Sequence, residues 1–354
     1  MVDCCFGGTG CAVWSTERVR PRGRGSRVGE VTLGAEDRVI WRDGEFIAWA
    51  DATVHVLAQS LQRGSLAFDY MAVHRPSRGP AVFRVDDHIR RLFNTCGIMG
   101  LPIAYEVDEL IEATLETVRR NEGARSVRIS ALFPSVEVEL VPQDPHIAVF
   151  IAAYDSRKDI IEGKPGKPHF AAELSLKVER VKRSRRHDLI PPQAKVAASY
   201  TPSLPAKWQA RREGFDDIIL LDEHDQLTEA PTSNLFLVTA DGTLATPTGE
   251  QALRGITRDS VIQIARELGF AVEERSIGVD ELDTAREVFM TGTSVGVWPV
   301  IRIDGEPVGN GAVGTETARL KARFDAVVAG DVPEFAHWLH PVSQSLERPE
   351  NPDG

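Results

Sequence analysis

Apolar and polar positions alternate along this chain with two different periods, and the changes of period divide it into short elements. Val39-Ile-Trp-Arg and Glu45-Phe-Ile flank Asp43-Gly44, which predicts two short strands around a two-residue turn. Ala81-Val-Phe-Arg84 reads as a further strand. Asp86 and Asp87 then open a helix in which Ile89, Leu92, Phe93 and Cys96 recur every three or four residues. Val107, Leu110, Ile111, Leu115 and Val118 predict a second amphipathic helix. Residues Ser126 to Phe133 and His146 to Tyr154 read as strands, the second so continuously apolar that both its faces are expected to be covered.

From Asp155 to Pro168 the sequence turns polar and rich in Gly and Pro, the signature of a linker. Beyond it strands and helices alternate. Pro205 to Arg212 is expected to be helical with Gly214 as its stop, and Ile218-Ile-Leu-Leu to be a strand. Leu235 to Val238 and Leu244 to Thr246 read as strands around Asp241-Gly242. A helix is expected over Arg258 to Leu268, with Val261, Ala265 and Leu268 inward and Gly269 as its breaker, followed by a strand over Glu287 to Met290. The resulting division is an extension without structure over 1–30, a small N-terminal α/β domain over 31–154, a linker over 155–168, a larger domain over 169–335 and a tail over 336–354.

Composition narrows the function classes. The chain has 354 residues, 42% apolar and 26% charged, the balance of a globular protein large enough for two cores. A formal charge of −11 argues against general nucleic-acid binding, which rewards positive surfaces. The basic run from Lys177 through Arg180, Lys182 and Arg183 to Arg186 reads as a solvated strand or loop. No apolar stretch approaches the roughly 20 residues of a membrane-spanning helix. Cys4, Cys5 and Cys11 lie in the N-terminal extension without a matching ligand cluster, so neither a metal site nor a disulfide framework is expected. Cys96 falls on the apolar side of its helix, and the cytoplasm is the expected compartment.

Against that background a few residues stand out for their chemistry. Lys195, in Gln193-Ala-Lys195-Val-Ala-Ala-Ser-Tyr200, sits among small apolar neighbours that would desolvate its ammonium and favour a free, nucleophilic amine. On its own such a lysine is more often a surface residue with its stem on apolar neighbours. Glu229, in Glu229-Ala-Pro-Thr-Ser-Asn234-Leu-Phe, has small or rigid residues after it, so a flat ring could lie close to this backbone with the carboxylate on a ring nitrogen. The bland alternative is a solvent-exposed glutamate after a turn. Gly255-Ile256-Thr257 precedes a helix, where free N–H groups, the positive dipole end and Thr257 as cap suit a phosphate. Thr291-Gly292-Thr293-Ser294 adds hydroxyls and flexible amides, and Arg91 is a candidate counter-charge. Each of these is common singly. An amine, a carboxylate, a phenol and three anion-friendly segments together point to pyridoxal phosphate.

Glu229…Asn234-Leu-Phe…Leu253-x-Gly-Ile-Thr-Arg258 resembles the class IV pyridoxal-phosphate aminotransferases, and the branched-chain amino acid aminotransferases in particular, from about Val39 to Pro307. The resemblance implies a two-domain α/β fold of the D-amino acid aminotransferase type with the cofactor in the interdomain cleft. By it, Lys195 matches the lysine joined covalently to the cofactor, Tyr200 the tyrosine on its phenolic oxygen, Glu229 the partner of its pyridine nitrogen and Leu253 the residue packed on its ring. Arg91, Gly255, Ile256, Thr257 and Thr293 fall on the phosphate side. Phe68, Tyr70, Arg128 and Ser294 fall on the substrate side.

The chain also departs from the pattern. Phe68-Asp69-Tyr70 stands where the family typically has Phe-Glu-Gly, and Ala197-Ala-Ser where Gly-Gly-Asn is usual. Arg254 replaces a common proline, and Ser126 sits where many members carry a pocket tyrosine. The implied activity is transfer of an amino group from a branched-chain-like amino acid to a 2-oxo acid such as 2-oxoglutarate. D-amino acid or (R)-amine transamination, an aminodeoxychorismate lyase-like reaction, and a non-catalytic binding role are the alternatives. A homodimer is the implied assembly, with no metal, nucleic acid or membrane involved.

Overall fold

The computed structural model describes residues 35, 37–161, 171–182 and 188–342. The expected extension over 1–30 with its three cysteines, residues 162–168 of the expected linker, the basic residues from Arg183 to Arg186, and positions 343–354 lie outside the described residues.

The first six strands are β1 (Val39–Arg42), β2 (Glu45–Ala48), β3 (Ala67–His74), β4 (Ala81–Phe83), β5 (Ser126–Leu132) and β6 (Ala148–Tyr154). The next nine are β7 (Leu174–Val178), β8 (Asp217–Ile219), β9 (Glu229–Ala230), β10 (Ser233–Val238), β11 (Leu244–Thr246), β12 (Val272–Glu274), β13 (Glu287–Gly292), β14 (Gly296–Ile303) and β15 (Glu306–Pro307). A last strand, β16 (Leu339–Pro341), closes the series. Among the described residues six α-helices accompany them: α1 (Gln59–Arg63), α2 (Val85–Met99), α3 (Val107–Arg120), α4 (Leu204–Arg212), α5 (Ile256–Glu267) and α6 (Thr315–Ala329).

The strands form two sheets. The first is wholly antiparallel, in the order β16-β4-β3-β5-β6-β1-β2. The second runs β12-β11-β10-β13-β14-β7-β8, with β9 on β10 and β15 on β14, and is parallel at β11/β12, β14/β7 and β7/β8. The Asp43-Gly44 turn has positive φ at both positions, 47° and 97°, as an Asp-Gly hairpin requires.

Helices α2 and α3 close one face of the first sheet, burying Ile89, Leu92, Cys96, Leu110 and Leu115 against Met71, Val127, Ile129 and Ile151. Strand β10 is buried on both faces. Leu235 and Leu237 join one core, while Phe236 and Val238 join the other, beneath α5 and α6. Phe236 stacks on Phe289 of β13 at 4.9 Å with planes 4° apart, a contact worth ~0.5–1.5 kcal/mol beyond its buried area.

Several expectations need correction. Helix α5 starts at Ile256, two residues early, because Gly255 and not Thr257 occupies the cap position, with φ −64° and ψ 135°. Thr257 is the second residue of the helix, not its cap. The expected coil after Tyr154 begins as a helical turn over Ser156–Ile161, because the Asp155 and Asp159 carboxylates take backbone N–H groups there. Residues 339–341, within the expected tail, form β16 and pair with β4. Strand β4 ends at Phe83 because Arg84 is left-handed, at φ 49°. Its buried side chain bonds Asp87, Asp259 and Ser260 and lies 5.0 Å from the Trp338 ring, joining β4 to α5 and to the end of the chain.

Candidate functional site

Lys195 lies on the segment that crosses the start of β3. Its backbone N–H donates to Thr95 Oγ1 of α2 at 3.1 Å, and its carbonyl accepts from Phe68 N–H at 3.1 Å. Ala67 and Val196 form a bridge alongside. The backbone of Lys195 is therefore held between a helix and a strand, as a reactive side chain must be to keep its aim. Its Nζ reaches the Tyr200 hydroxyl at 2.9 Å and lies 5.2 Å from the Phe68 ring centroid, while the Phe68 and Tyr200 rings are 5.5 Å apart. The turn Ala197–Tyr200 returns the phenol to the amine.

Glu229 is buried on β9, beside Asn234 of β10. Its Oε2 accepts from Asn234 Nδ2 and from Leu253 N–H, both at 3.3 Å. The same Asn234 amide donates to the Leu253 carbonyl at 2.8 Å, so one side chain ties Glu229 to the loop that enters α5. Glycine is required at 255 for space rather than for φ. A Cβ there would fall 2.0 Å from Asn234 Oδ1.

Arg91 connects this loop to the first sheet. Its Nη1 donates to the Arg254 carbonyl at 3.1 Å, and its Nε and Nη2 grip the fully buried Asp69 carboxylate, each at 2.8 Å. His88 Nδ1 also meets Asp69, at 2.7 Å. Burial alone would raise the Asp69 carboxyl, but the Arg91 guanidinium and His88 outweigh it and hold it well below the ordinary carboxylate range. Burial pushes His88 down despite Asp69, so a neutral ring donates from Nδ1 to the carboxylate.

On the substrate side suggested by the sequence, Phe68 and Tyr70 share one face of β3. Arg128 of β5 lies across from Tyr70, its guanidinium carbon 5.1 Å from the Phe68 ring and 5.7 Å from the Tyr70 ring. Thr293 and Ser294 sit in the turn between β13 and β14, next in the sheet to β10. Ile256 and Thr257 are buried in the first turn of α5. Two contact groups result: Lys195, Tyr200, Phe68, Arg128 and Tyr70, and Glu229, Asn234, Leu253, Arg254 and Arg91. The Thr293–Ser294 turn reaches neither through a side-chain hydrogen bond among the described residues.

The amino-transferase class IV family profile matches residues 66–303, two thirds of the chain. The chain belongs to the class IV aminotransferases. Among its relatives in this family is the branched-chain-amino-acid aminotransferase of Escherichia coli (strain K12), 34% identical over 310 residues, 86% of this chain and 97% of that protein. Among solved structures, the branched-chain aminotransferase of Thermoproteus uzoniensis with norvaline superposes with a TM-score of 0.78 at 31% identity, over 86% of this class IV chain and 99% of its own. The branched-chain amino acid aminotransferase of Thermobaculum terrenum, described as the PLP-form, gives a TM-score of 0.77 at 29% identity, covering 88% and 100%.

Asp69, His88, Thr95 and Asn234 were not among the site residues expected of this class IV chain. Asn234 was visible in the motif itself. Asp69 stood inside the quoted Phe68-Asp69-Tyr70 segment, but its role, like those of His88 and Thr95, depends on partners 19 to 100 residues away.

Proposed function

We propose that this class IV aminotransferase uses pyridoxal phosphate to move an amino group from a branched-chain-like L-amino acid to a 2-oxo acid such as 2-oxoglutarate. The observation that carries the reading is the 2.9 Å contact between Lys195 Nζ and Tyr200 OH, beside the Phe68 ring. The donor set fits the cofactor: an amine for its aldehyde, a phenol for its ring oxygen and a buried carboxylate for its ring nitrogen. The Gly255 turn opening α5 and the Thr293–Ser294 turn suit its phosphate. When bound, pyridoxal phosphate supplies an aldehyde that captures amines and a ring that withdraws electrons from the reacting carbon.

The protein's own groups then divide the work. Lys195 would hold the cofactor at rest and, once displaced by the donor, its Nζ would carry the proton from the donor's α-carbon to the carbon that had been the cofactor's aldehyde. Tyr200 orients that amine and fixes the ring oxygen. Glu229 keeps the ring nitrogen protonated, and Asn234 with Leu253 N–H fixes the carboxylate for that task. Leu253 packs on the ring. Arg91, Gly255, Ile256, Thr257 and Thr293 hold the phosphate, with Arg91 set in place by Asp69. Phe68, Tyr70, Arg128 and Ser294 line the substrate side.

The reading extends to assembly and place. Two domains meet near 155–168, supported by the way β1–β6 and β7–β15 sort into separate sheets. The exposed apolar residues Val56, Leu61, Val138, Leu140 and Val141 favour a homodimer. The buried free thiol of Cys96 suits the cytoplasm.

Borohydride reduction of the loaded protein followed by peptide mapping should label Lys195. Keto acid should form from L-leucine and 2-oxoglutarate, with D-alanine and an (R)-arylamine inert. An unlabelled Lys195 would defeat the cofactor assignment; preferential turnover of either of the other donors would move the protein to a different activity of the same fold.

A further inference from the structure

Strand β3 turns one face toward Lys195. Phe68 on that face touches the lysine and Tyr200, and Tyr70 follows on the same face about 6.6 Å farther along the strand. The Tyr70 hydroxyl lies 2.6 Å from Ser126 Oγ and 3.2 Å from Ser156 Oγ, and the two serine hydroxyls are 3.1 Å apart. Each hydroxyl can donate one hydrogen bond and accept another, so the three close a ring in which every bond strengthens the next. They come from three separate elements: β3, β5 and the helical turn after β6. Tyr154 backs the cluster. Burial pushes its phenol up, opposed by the nearby Arg128 guanidinium.

Swinging the Tyr70 ring away would break both bonds to the serines, which holds the ring in this position. Positions 70 and 126 are also two of the places where the sequence leaves its family pattern, a phenol replacing glycine and a serine replacing tyrosine. The structure joins these two departures in one hydrogen bond.

We propose that Tyr70, locked by Ser126 and Ser156, determines specificity by closing the side-chain end of the substrate pocket. Donors with compact aliphatic side chains fit beside it, and donors with an aromatic side chain meet the fixed ring. The discrimination is repulsive: a wall that cannot move rejects the larger substrate more strongly than any added attraction selects the smaller. This inference rests on the transaminase reading above.

The test is the ratio of kcat/KM for L-phenylalanine to that for L-leucine, measured on the full-length holoenzyme. Tyr70→Gly should raise this ratio by roughly 10-fold to 200-fold. Tyr70→Val, which removes the ring but keeps a residue suited to a strand, should raise it in the same direction and carries the test if the glycine variant does not fold. Ser126→Ala combined with Ser156→Ala frees the ring without removing it and should raise the ratio about threefold. Calorimetric titration with 3-phenylpropionate and 4-methylvalerate should show the same shift in binding without turnover. An unchanged ratio in the ring-deleted enzyme, with leucine still turned over, overturns the wall. An unchanged ratio in the double serine variant overturns the lock. If the wild-type holoenzyme turns over no amino donor at all, the transaminase reading itself fails and this inference with it.

Discussion

Lys195 and Tyr200 are five residues apart in the chain and meet in one hydrogen bond, whereas Tyr70 finds Ser126 and Ser156 across 56 and 86 residues. The Lys195–Tyr200 and Glu229–Asn234 pairs are local: a turn brings the phenol back to the amine, and a strand pair sets Glu229 beside Asn234. The substrate side is assembled from the edges of three elements that only the finished sheet brings together. Local pieces keep their geometry under substitution elsewhere, while the assembled wall depends on every strand that frames it. One side can therefore stay fixed while the other is free to vary.

This contrast can be broken or sharpened experimentally. The largest effect is expected from Lys195→Ala, which would remove the proposed covalent anchor and proton carrier and should cut transamination roughly 10⁴-fold, read as keto-acid release. If substantial turnover remained, the cofactor side would not be centred on Lys195. Next comes Asp69→Ala, which leaves the Arg91 guanidinium buried without its carboxylate. It should lower unfolding stability by about 3–5 kcal/mol in denaturant titration and weaken cofactor retention. A loss below ~1 kcal/mol would show that the two sides are not tied together through this pair.

Tyr200→Phe should raise the barrier by about 1.5–3 kcal/mol, the worth of a hydrogen bond to a charged group, seen in kcat with the protein still folded. The smallest effect concerns pH. Burial holds His88 below its ordinary value, and burial brings His74 down to about 4 in spite of Asp325. Below about pH 6.5 the unfolded chain therefore takes up protons that the native state refuses, and stability should fall as the solution is acidified. Asp69 adds to this lower down: its contribution is full above ~3.9 and is lost as the pH drops toward its depressed native value. Denaturation followed from pH 8 to 5 should show a slope on the order of 1 kcal/mol per pH unit, reduced in His74→Asn.

Much of the architecture was legible because it follows from local periodicity. The faces of α2 and α3 appear in Ile89, Leu92 and Cys96 and in Leu110, Leu115 and Val118, all of them buried. Strand β3 was not legible, because its inward positions include Asp69, and a buried charge breaks the alternation that marks a strand. Helix α6 was within reach, since Leu320, Phe324 and Val327 recur at helical spacing, yet it is absent from the elements expected of the sequence. The start of α5 was misplaced because Thr257 is the better capping residue in isolation. The need for glycine at 255 comes from Asn234, which lies 21 positions back and invades the space of a side chain. Within the site, residues with a motif of their own could be proposed from the sequence. Those whose role is to hold another residue, such as Asp69 for Arg91, could not.

Strand β16 gives the molecule a clasp. Leu339, His340 and Pro341 lie against Phe83, Val82 and Ala81, so a strand more than 250 residues downstream is stitched to β4. A protease nick anywhere between β6 and β7 would therefore yield two fragments that stay together until denaturant opens that seam, and the first sheet is complete only once β16 has been made, long after its other strands.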